Sequence, residues 1–430
     1  MTTAGCESEG TPTVPFRQFL LKIHSLCNLS CDYCYVYFAA DQSWRRRPAV
    51  MTLDTMRQAV DRIAEHVREH GLPMVRIILH GGEPLLVGKR HLGELLTAMG
   101  ERLSTVVEVR CSMQSNGTLL DEEILTLLRR HAVGVAVSLD GSSAAHDRHR
   151  RFVNGRPSHA RVAAALRLLN SPRHRELFVG LLCTVDLAND PVETYEALLE
   201  FEAPRVDFLL PHGTWVSPPA GLGHRDLPPA RPPVVVPQDE PTPYADWLIA
   251  AFDRWFDAPH KETRVRMFEE VMSGLLGGAV NAETFGLAPV DLVVVEADGT
   301  MEQSDSLKVV GEGAPETGLD VFRHSFSDAL ANETIRRRQS GLRGLGQVCR
   351  DCAVARVCGG GLYAHRHHPV TGFDTPSVYC YDLSAFITHV RSRIRAGMAP
   401  LVVEAVEAVE APVERPTAVR EPERDSGRTG

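Results

Sequence analysis

His24-Ser25-Leu26-Cys27-Asn28-Leu29-Ser30-Cys31-Asp32-Tyr33-Cys34-Tyr35 decides how this chain is read. It follows directly on an apolar run, Phe16 to His24, that reads as a strand. Three cysteines at C-x3-C-x2-C spacing then fall on a loop short enough to wrap one metal centre. Zinc and iron–sulfur sites normally take four protein ligands. A triad without a fourth local cysteine leaves one iron of a 4Fe–4S cluster open to another ligand, and a zinc knuckle is the alternative reading of the spacing.

The 430 residues are 43% hydrophobic, enough for two or three domains with buried cores. The net charge of −9 and the lack of a basic face beyond Arg45-Arg46-Arg47 argue against a nucleic-acid partner, and that arginine run is expected to be a solvated loop. No basic, apolar leader opens the chain, and no window approaches the roughly 18 apolar residues of a spanning helix. A cytoplasmic protein without a membrane partner is therefore expected. Ten cysteines in that setting do not read as a disulfide framework, and seven fall into two ligand-like groups. Cys111 and Cys183 lie in strand-like runs and are expected as small buried hydrophobes, while Cys6 lies in a leader, 1–15, expected to be disordered.

From residue 16 to about 210, short apolar runs alternate with amphipathic stretches, the pattern of β/α units around a parallel sheet. Strands are expected near Phe16–His24, Val75–His80, Val106–Gln114, Val133–Leu139, Leu177–Asp186 and Val206–Leu210. Met56, Val60, Ile63 and Val67 recur at helical spacing between a Thr52 cap and a Gly71 stop, and Asp121–His131, His159–Asn170 and Val192–Glu202 follow the same logic. In such sheets the reactive rim is built from loops after the strand ends. Those loops hold the cysteines, Gly81-Gly82-Glu83-Pro84, Ser115-Asn116-Gly117-Thr118 and Ser138-Leu139-Asp140-Gly141.

Residues 211–243 are proline-rich and read as an insertion over the rim, with His212 and Trp215 able to reach substrate. Helices are expected at Tyr244–Phe256 and Thr263–Leu276, and a hairpin at Leu292–Glu296 and Met301–Gln303 around Asp298-Gly299. A second cysteine group follows: Cys349, Cys352 and Cys358, with Cys380 further on. Four thiols close a site, which suits an electron relay, although a zinc ribbon shares the C-x2-C element. His365, His367 and His368 are expected to face solvent, and 399–430 to form a disordered tail or frayed helix.

The cysteine triad with its flanking aromatic resembles the signature of radical S-adenosylmethionine (radical SAM) enzymes. The resemblance implies an α/β fold: a partial (β/α)6 TIM-like barrel over 16–285, followed by a SPASM/twitch-like iron–sulfur domain over 286–398. It implies a 4Fe–4S cluster on Cys27, Cys31 and Cys34 whose open iron holds S-adenosylmethionine. Gly81, Gly82, Glu83 and Pro84 resemble the family's GGEP motif, with Glu83 expected on the cofactor's amino group, Gln114 and Asn116 as further contacts and Ser138 near the ribose. The stretch from Ser138-Leu139-Asp140-Gly141 through His146-Asp147, Arg150 or Arg151, Gly155 and Ser158 resembles that of members that modify peptides. Cys349, Cys352, Cys358 and Cys380 resemble the ligands of one auxiliary 4Fe–4S cluster. The hairpin end reads Glu302-Gln303-Ser304-Asp305 where two-cluster relatives carry cysteine, and Leu362 stands where they carry another.

The resemblance runs closest to FxsB-type maturases. It implies a ribosomally made precursor peptide as substrate, a flavodoxin or ferredoxin as electron donor, and a three-residue cyclophane as product. Asp305 is the candidate proton acceptor, by position. Thioether synthesis, formylglycine formation on a sulfatase, and a non-catalytic iron–sulfur or zinc scaffold that binds a peptide are the alternatives.

Overall fold

The computed structural model describes residues 13–223 and 241–410, with side chains through 397. Residues 1–12, 224–240 and 411–430 lie outside it, and with them most of the expected leader, half of the proline-rich insertion and the end of the expected tail.

Seven strands run parallel in chain order: β1 (Gln18–His24), β2 (Met74–Gly81), β3 (Glu108–Ser115), β4 (Val133–Ser138), β5 (Phe178–Thr184), β6 (Arg205–Leu209) and the two-residue β7 (Arg264–Val265). Alternation explains the pleat. Phe19, Leu21 and Ile23 of β1, and Val133, Val135 and Val137 of β4, are wholly buried on one face. Helices return the chain between strands. In Leu53–His70 the Thr52 hydroxyl accepts the Thr55 N–H at 3.0 Å, and Gly71, at φ 60°, ends the last turn in the left-handed conformation.

The expected hairpin forms as β8 (Leu292–Val295) and β9 (Thr300–Glu302), with β10 (Glu316–Asp320) antiparallel beyond them. Its position is a finding. β8 pairs in parallel with β1, Phe19 opposite Val293, so the ten strands make one open sheet in the order β10-β9-β8-β1-β2-β3-β4-β5-β6-β7.

The join between β1 and the hairpin is sealed by buried charge. Lys22 Nζ lies 3.0 Å from Glu296 and 2.7 Å from Asp305. Lys308 Nζ lies 3.0 Å from Glu302, 3.3 Å from Asp41 and 3.4 Å from Glu296. Arg47, expected on a solvated loop, instead reaches Asp298 at 2.6 Å and Glu302 at 3.1 Å with its side chain 9% exposed. An isolated ion in such an interior is costly, and these charges are tolerated because each faces an opposite one.

The helix that begins at Cys380 continues to Glu410, past the expected tail boundary at 398. A helix over Lys89–Leu103, not expected from the sequence, packs between β2 and β3 in chain order.

Candidate active site and cysteine clusters

The C-terminal ends of β1 to β6 open onto one cavity. Cys27, Cys31, Cys34, Gly81, Gly82, Gln114, Asn116 and Ser138 all line it, joined by Tyr33, Tyr35, Tyr37, His80, Arg150 and His212. Burial lifts the Cys27 thiol to about 11 and Cys31 to about 12. Thiols so placed become thiolates when a metal sits among them. Cys27 Sγ also accepts the Leu29 N–H at 3.4 Å and the Asn116 amide at 3.7 Å, the kind of donor set that surrounds a cluster-ligating sulfur.

The loops interlock. Gly82 N donates to His24 O at 2.8 Å and Glu83 N to Leu26 O at 2.9 Å, which seats the β2 loop directly against the cysteine loop. A Cβ on Gly81 would stand 2.0 Å from His24 O, and one on Gly82 1.8 Å from the Tyr37 hydroxyl. The two glycines thus serve the approach of one loop to the other as well as an open cavity wall. Asn116 Nδ2 donates to Asn28 Oδ1 at 2.8 Å, and Asn28 Nδ2 to Thr118 Oγ1 at 2.9 Å, tying the loop after β3 to Cys27.

Glu83 and Pro84 are buried and do not line the cavity. The Glu83 carboxylate accepts from Leu85 N at 3.1 Å, Ser115 Oγ at 2.9 Å and Asn116 N at 2.7 Å. Burial nevertheless raises it to about 7. With these bonds Glu83 holds the β2 and β3 loops in register.

The Ser138–Ser158 stretch is likewise scaffolding with one outward product. Asp140 accepts from Arg150 Nε at 2.9 Å, Thr184 N at 3.0 Å and the Tyr33 hydroxyl. His146 meets Ser158 Oγ at 3.0 Å, and Ser158 Oγ donates to Arg150 O at 2.5 Å. Of the two arginines, Arg150 is the one brought to the cavity, while Arg151 is exposed.

Asp305 does not line the cavity. Burial would raise its carboxyl, but Lys22, Lys308 and His80 outweigh burial and hold it below the ordinary range.

Cys349, Cys352, Cys358 and Cys380 line a second, narrow and mostly apolar cavity. Beside it sits Arg366, 9% exposed, whose guanidinium donates to the carbonyls of Gly359 at 2.5 Å, Gly360 at 3.1 Å and Gly361 at 2.9 Å. No carboxylate partner for Arg366 is found among the described residues. A buried cation next to four thiols fits an anionic iron–sulfur cluster better than a neutral tetrathiol pocket. Cys183 is buried as expected, whereas Cys111 is only partly so. His365, expected at the surface, is 2% exposed: the glycine run turns the short helix Tyr363–Arg366 inward.

A parallel β/α sheet with a three-thiol loop at its carboxyl rim is the architecture of a radical SAM domain, and residues 21–199 match the radical SAM superfamily. Domains of this class use a 4Fe–4S cluster and S-adenosylmethionine. The serine-type anaerobic sulfatase-maturating enzyme of Bacteroides thetaiotaomicron is 23% identical over 355 residues, 80% of this chain and 82% of that protein. The cysteine-type enzyme of Clostridium novyi is 21% identical over 84% of this chain and 91% of its own. Among solved structures, anSMEcpe with bound AdoMet has a TM-score of 0.69 at 19% identity, covering 91% of this chain and all of that one. SuiB of Streptococcus suis bound to precursor peptide SuiA has a TM-score of 0.53 at 13% identity, covering 86% and 76%. At these identities the structural likeness is one of fold. No helix among the described residues is long and apolar enough to cross a membrane.

Proposed function

We propose that this chain is a radical SAM enzyme that oxidises a peptide by two hydrogens, joining a side-chain carbon to an aromatic ring in a ribosomally made precursor. The observation that carries the reading is the pairing of an open three-thiol cavity with a separate closed four-thiol one. When bound, the cofactors would supply a 5′-deoxyadenosyl radical at the first and an acceptor for one electron at the second. The chain's own work is positional. Asn116 and Leu29 fix the Cys27 sulfur, Gly82 keeps the wall open, and Gln114 Nε2, donating to Ser138 Oγ at 3.0 Å, presents a polar edge to the cofactor. Arg150, held by Asp140, offers a cation for a carboxylate or peptide carbonyl. Electrons for the three-thiol site would come from a flavodoxin or ferredoxin.

The extended similarity to sulfatase-maturating enzymes favours a second reading, formylglycine formation. Against it stands the hairpin end, where Glu302, Ser304 and Asp305 lie in or beside the ionic seal and offer no thiol for a further cluster. Anaerobically reconstituted protein with dithionite, S-adenosylmethionine and precursor peptides encoded nearby tests both. A peptide lighter by two hydrogens and inert to hydrazide supports the crosslink. A hydrazide-reactive aldehyde supports the second reading, and no 5′-deoxyadenosine with any peptide overturns both.

A further inference from the structure

We propose that His212 is the proton acceptor of the cavity and that His365 is the positioning residue behind it, an assignment that rests on the two-hydrogen oxidation above. The loop after β6 brings His212 to the cavity wall, where the Tyr35 ring meets it edge-on at 4.7 Å between centroids. Its Nδ1 lies 3.1 Å from His365 Nε2. The loop is pinned on both sides of the histidine: the Tyr379 hydroxyl donates to Pro211 O at 2.6 Å, and Trp215 Nε1 to Pro376 O at 2.9 Å. The His365 ring in turn lies 5.1 Å from that of Tyr379, tilted by 56°, and Tyr379 is the residue before Cys380.

A hydrogen bond between two neutral imidazoles makes one the donor and the other the acceptor, and the assignment takes His365 Nε2 as the acceptor. With His365 Nε2 accepting, His212 carries its hydrogen on Nδ1 and keeps the Nε2 lone pair for the cavity. No partner for that nitrogen is found among the described residues. Burial lowers His212 to about 4, so at ordinary pH the ring is neutral and its lone pair unprotonated, and the proton it would take comes from a ring cation that is a far stronger acid than an imidazolium. His80 also lines the cavity, but among the described residues no second imidazole stands behind it and its enclosed Nδ1 has no hydrogen-bond partner.

The balance is as follows. One hydrogen atom leaves the peptide carbon for the 5′-deoxyadenosyl radical, giving 5′-deoxyadenosine. The carbon radical bonds to the aromatic ring. One electron would then pass to the oxidised 4Fe–4S cluster that Cys349, Cys352, Cys358 and Cys380 would hold, and the ring proton passes to His212 Nε2, restoring aromaticity. Two hydrogens have left the peptide and one carbon–carbon bond has formed.

The test measures crosslinked peptide against 5′-deoxyadenosine in the reconstituted full chain, with iron content and thermal melting as independent checks of folding. His212→Gln is expected to lower product per 5′-deoxyadenosine by about 100-fold. His365→Phe is expected to lower the same ratio, and His365→Gln, whose amide oxygen can accept the Nδ1 hydrogen, to restore most of it. A wild-type ratio in folded, iron-replete His212→Gln would overturn the assignment, as would uncoupling by His80→Gln alone. Should His212→Gln fail to fold, equal ratios for His365→Phe and His365→Gln would overturn it. A wild-type protein that makes no crosslink fails the underlying reading and not this step.

Discussion

The Glu83 carboxylate accepts the Asn116 backbone N–H at 2.7 Å, bridging the loops that follow two neighbouring strands. A glutamine there turns an amide NH2 toward N–H or O–H donors that now point at oxygen. Glu83→Gln is therefore expected to lose about 1–3 kcal/mol of stability and to weaken S-adenosylmethionine binding through a displaced Asn116. Thermal melting and equilibrium dialysis check the two effects.

The same carboxyl predicts a pH dependence. Burial raises it from 4.5 to about 7, so the folded state holds this proton more tightly than the unfolded chain. Its contribution is fully present below the ordinary value and is lost as pH rises through about 7. Glu302, raised to about 7 by burial and by Glu296, acts in the same sense. Cofactor-free protein should melt at lower temperature as pH climbs across this window, and Glu83→Gln should flatten that slope.

The two cysteine sets predict separable metal contents. Loaded protein should carry on the order of eight irons per chain, and Cys349→Ala about four, with 5′-deoxyadenosine still formed and crosslinked product lost. Iron assay and product analysis decide.

Arg366 predicts a redox effect. Its guanidinium donates to three backbone carbonyls and lies over the Tyr363 ring, with no carboxylate partner among the described residues, so its charge acts on whatever the four thiols hold. Arg366→Leu should move the four-thiol cluster to more negative potential by roughly 100 mV, the scale of one charge several Å away at an effective dielectric near 20, while Arg366→Lys moves it less. An anaerobic redox titration followed by EPR reads the shift.

Much of this architecture was legible because β1 to β6 announce themselves by apolar runs followed by special loops. The helix Lys89–Leu103 was not, since Gly93 and Gly100 and its charged residues dilute the signal. Local pattern gave the hairpin but could not give its partner: pairing of Phe19 with Val293 is set by packing between distant segments. The same holds for Arg47 and His365, whose environments come from residues far along the chain. Of the rim motifs, the glycines, Gln114, Asn116 and Ser138 line the cavity where the order of the loops and the family resemblance put them, whereas Glu83 turns inward because three donors await it there.

Lys22 and Asp305 invite a double-mutant cycle. Lys22→Met leaves Asp305 and Glu296 short of a counterion and should cost about 3–5 kcal/mol. Adding Asp305→Asn should cost less than the sum of the single changes, because the two groups face each other at 2.7 Å. Denaturant unfolding of the four proteins measures the coupling.

The seating of β8 on β1 has a consequence for synthesis. Lys22 and Glu296 stand 274 positions apart. At roughly 5–20 residues per second a ribosome needs on the order of 15–50 s between them. Throughout that interval β1 displays a bare backbone edge to the crowded cell. Yield of intact protein should accordingly depend on chaperone supply and on slowed translation, more than the size of its core alone would suggest.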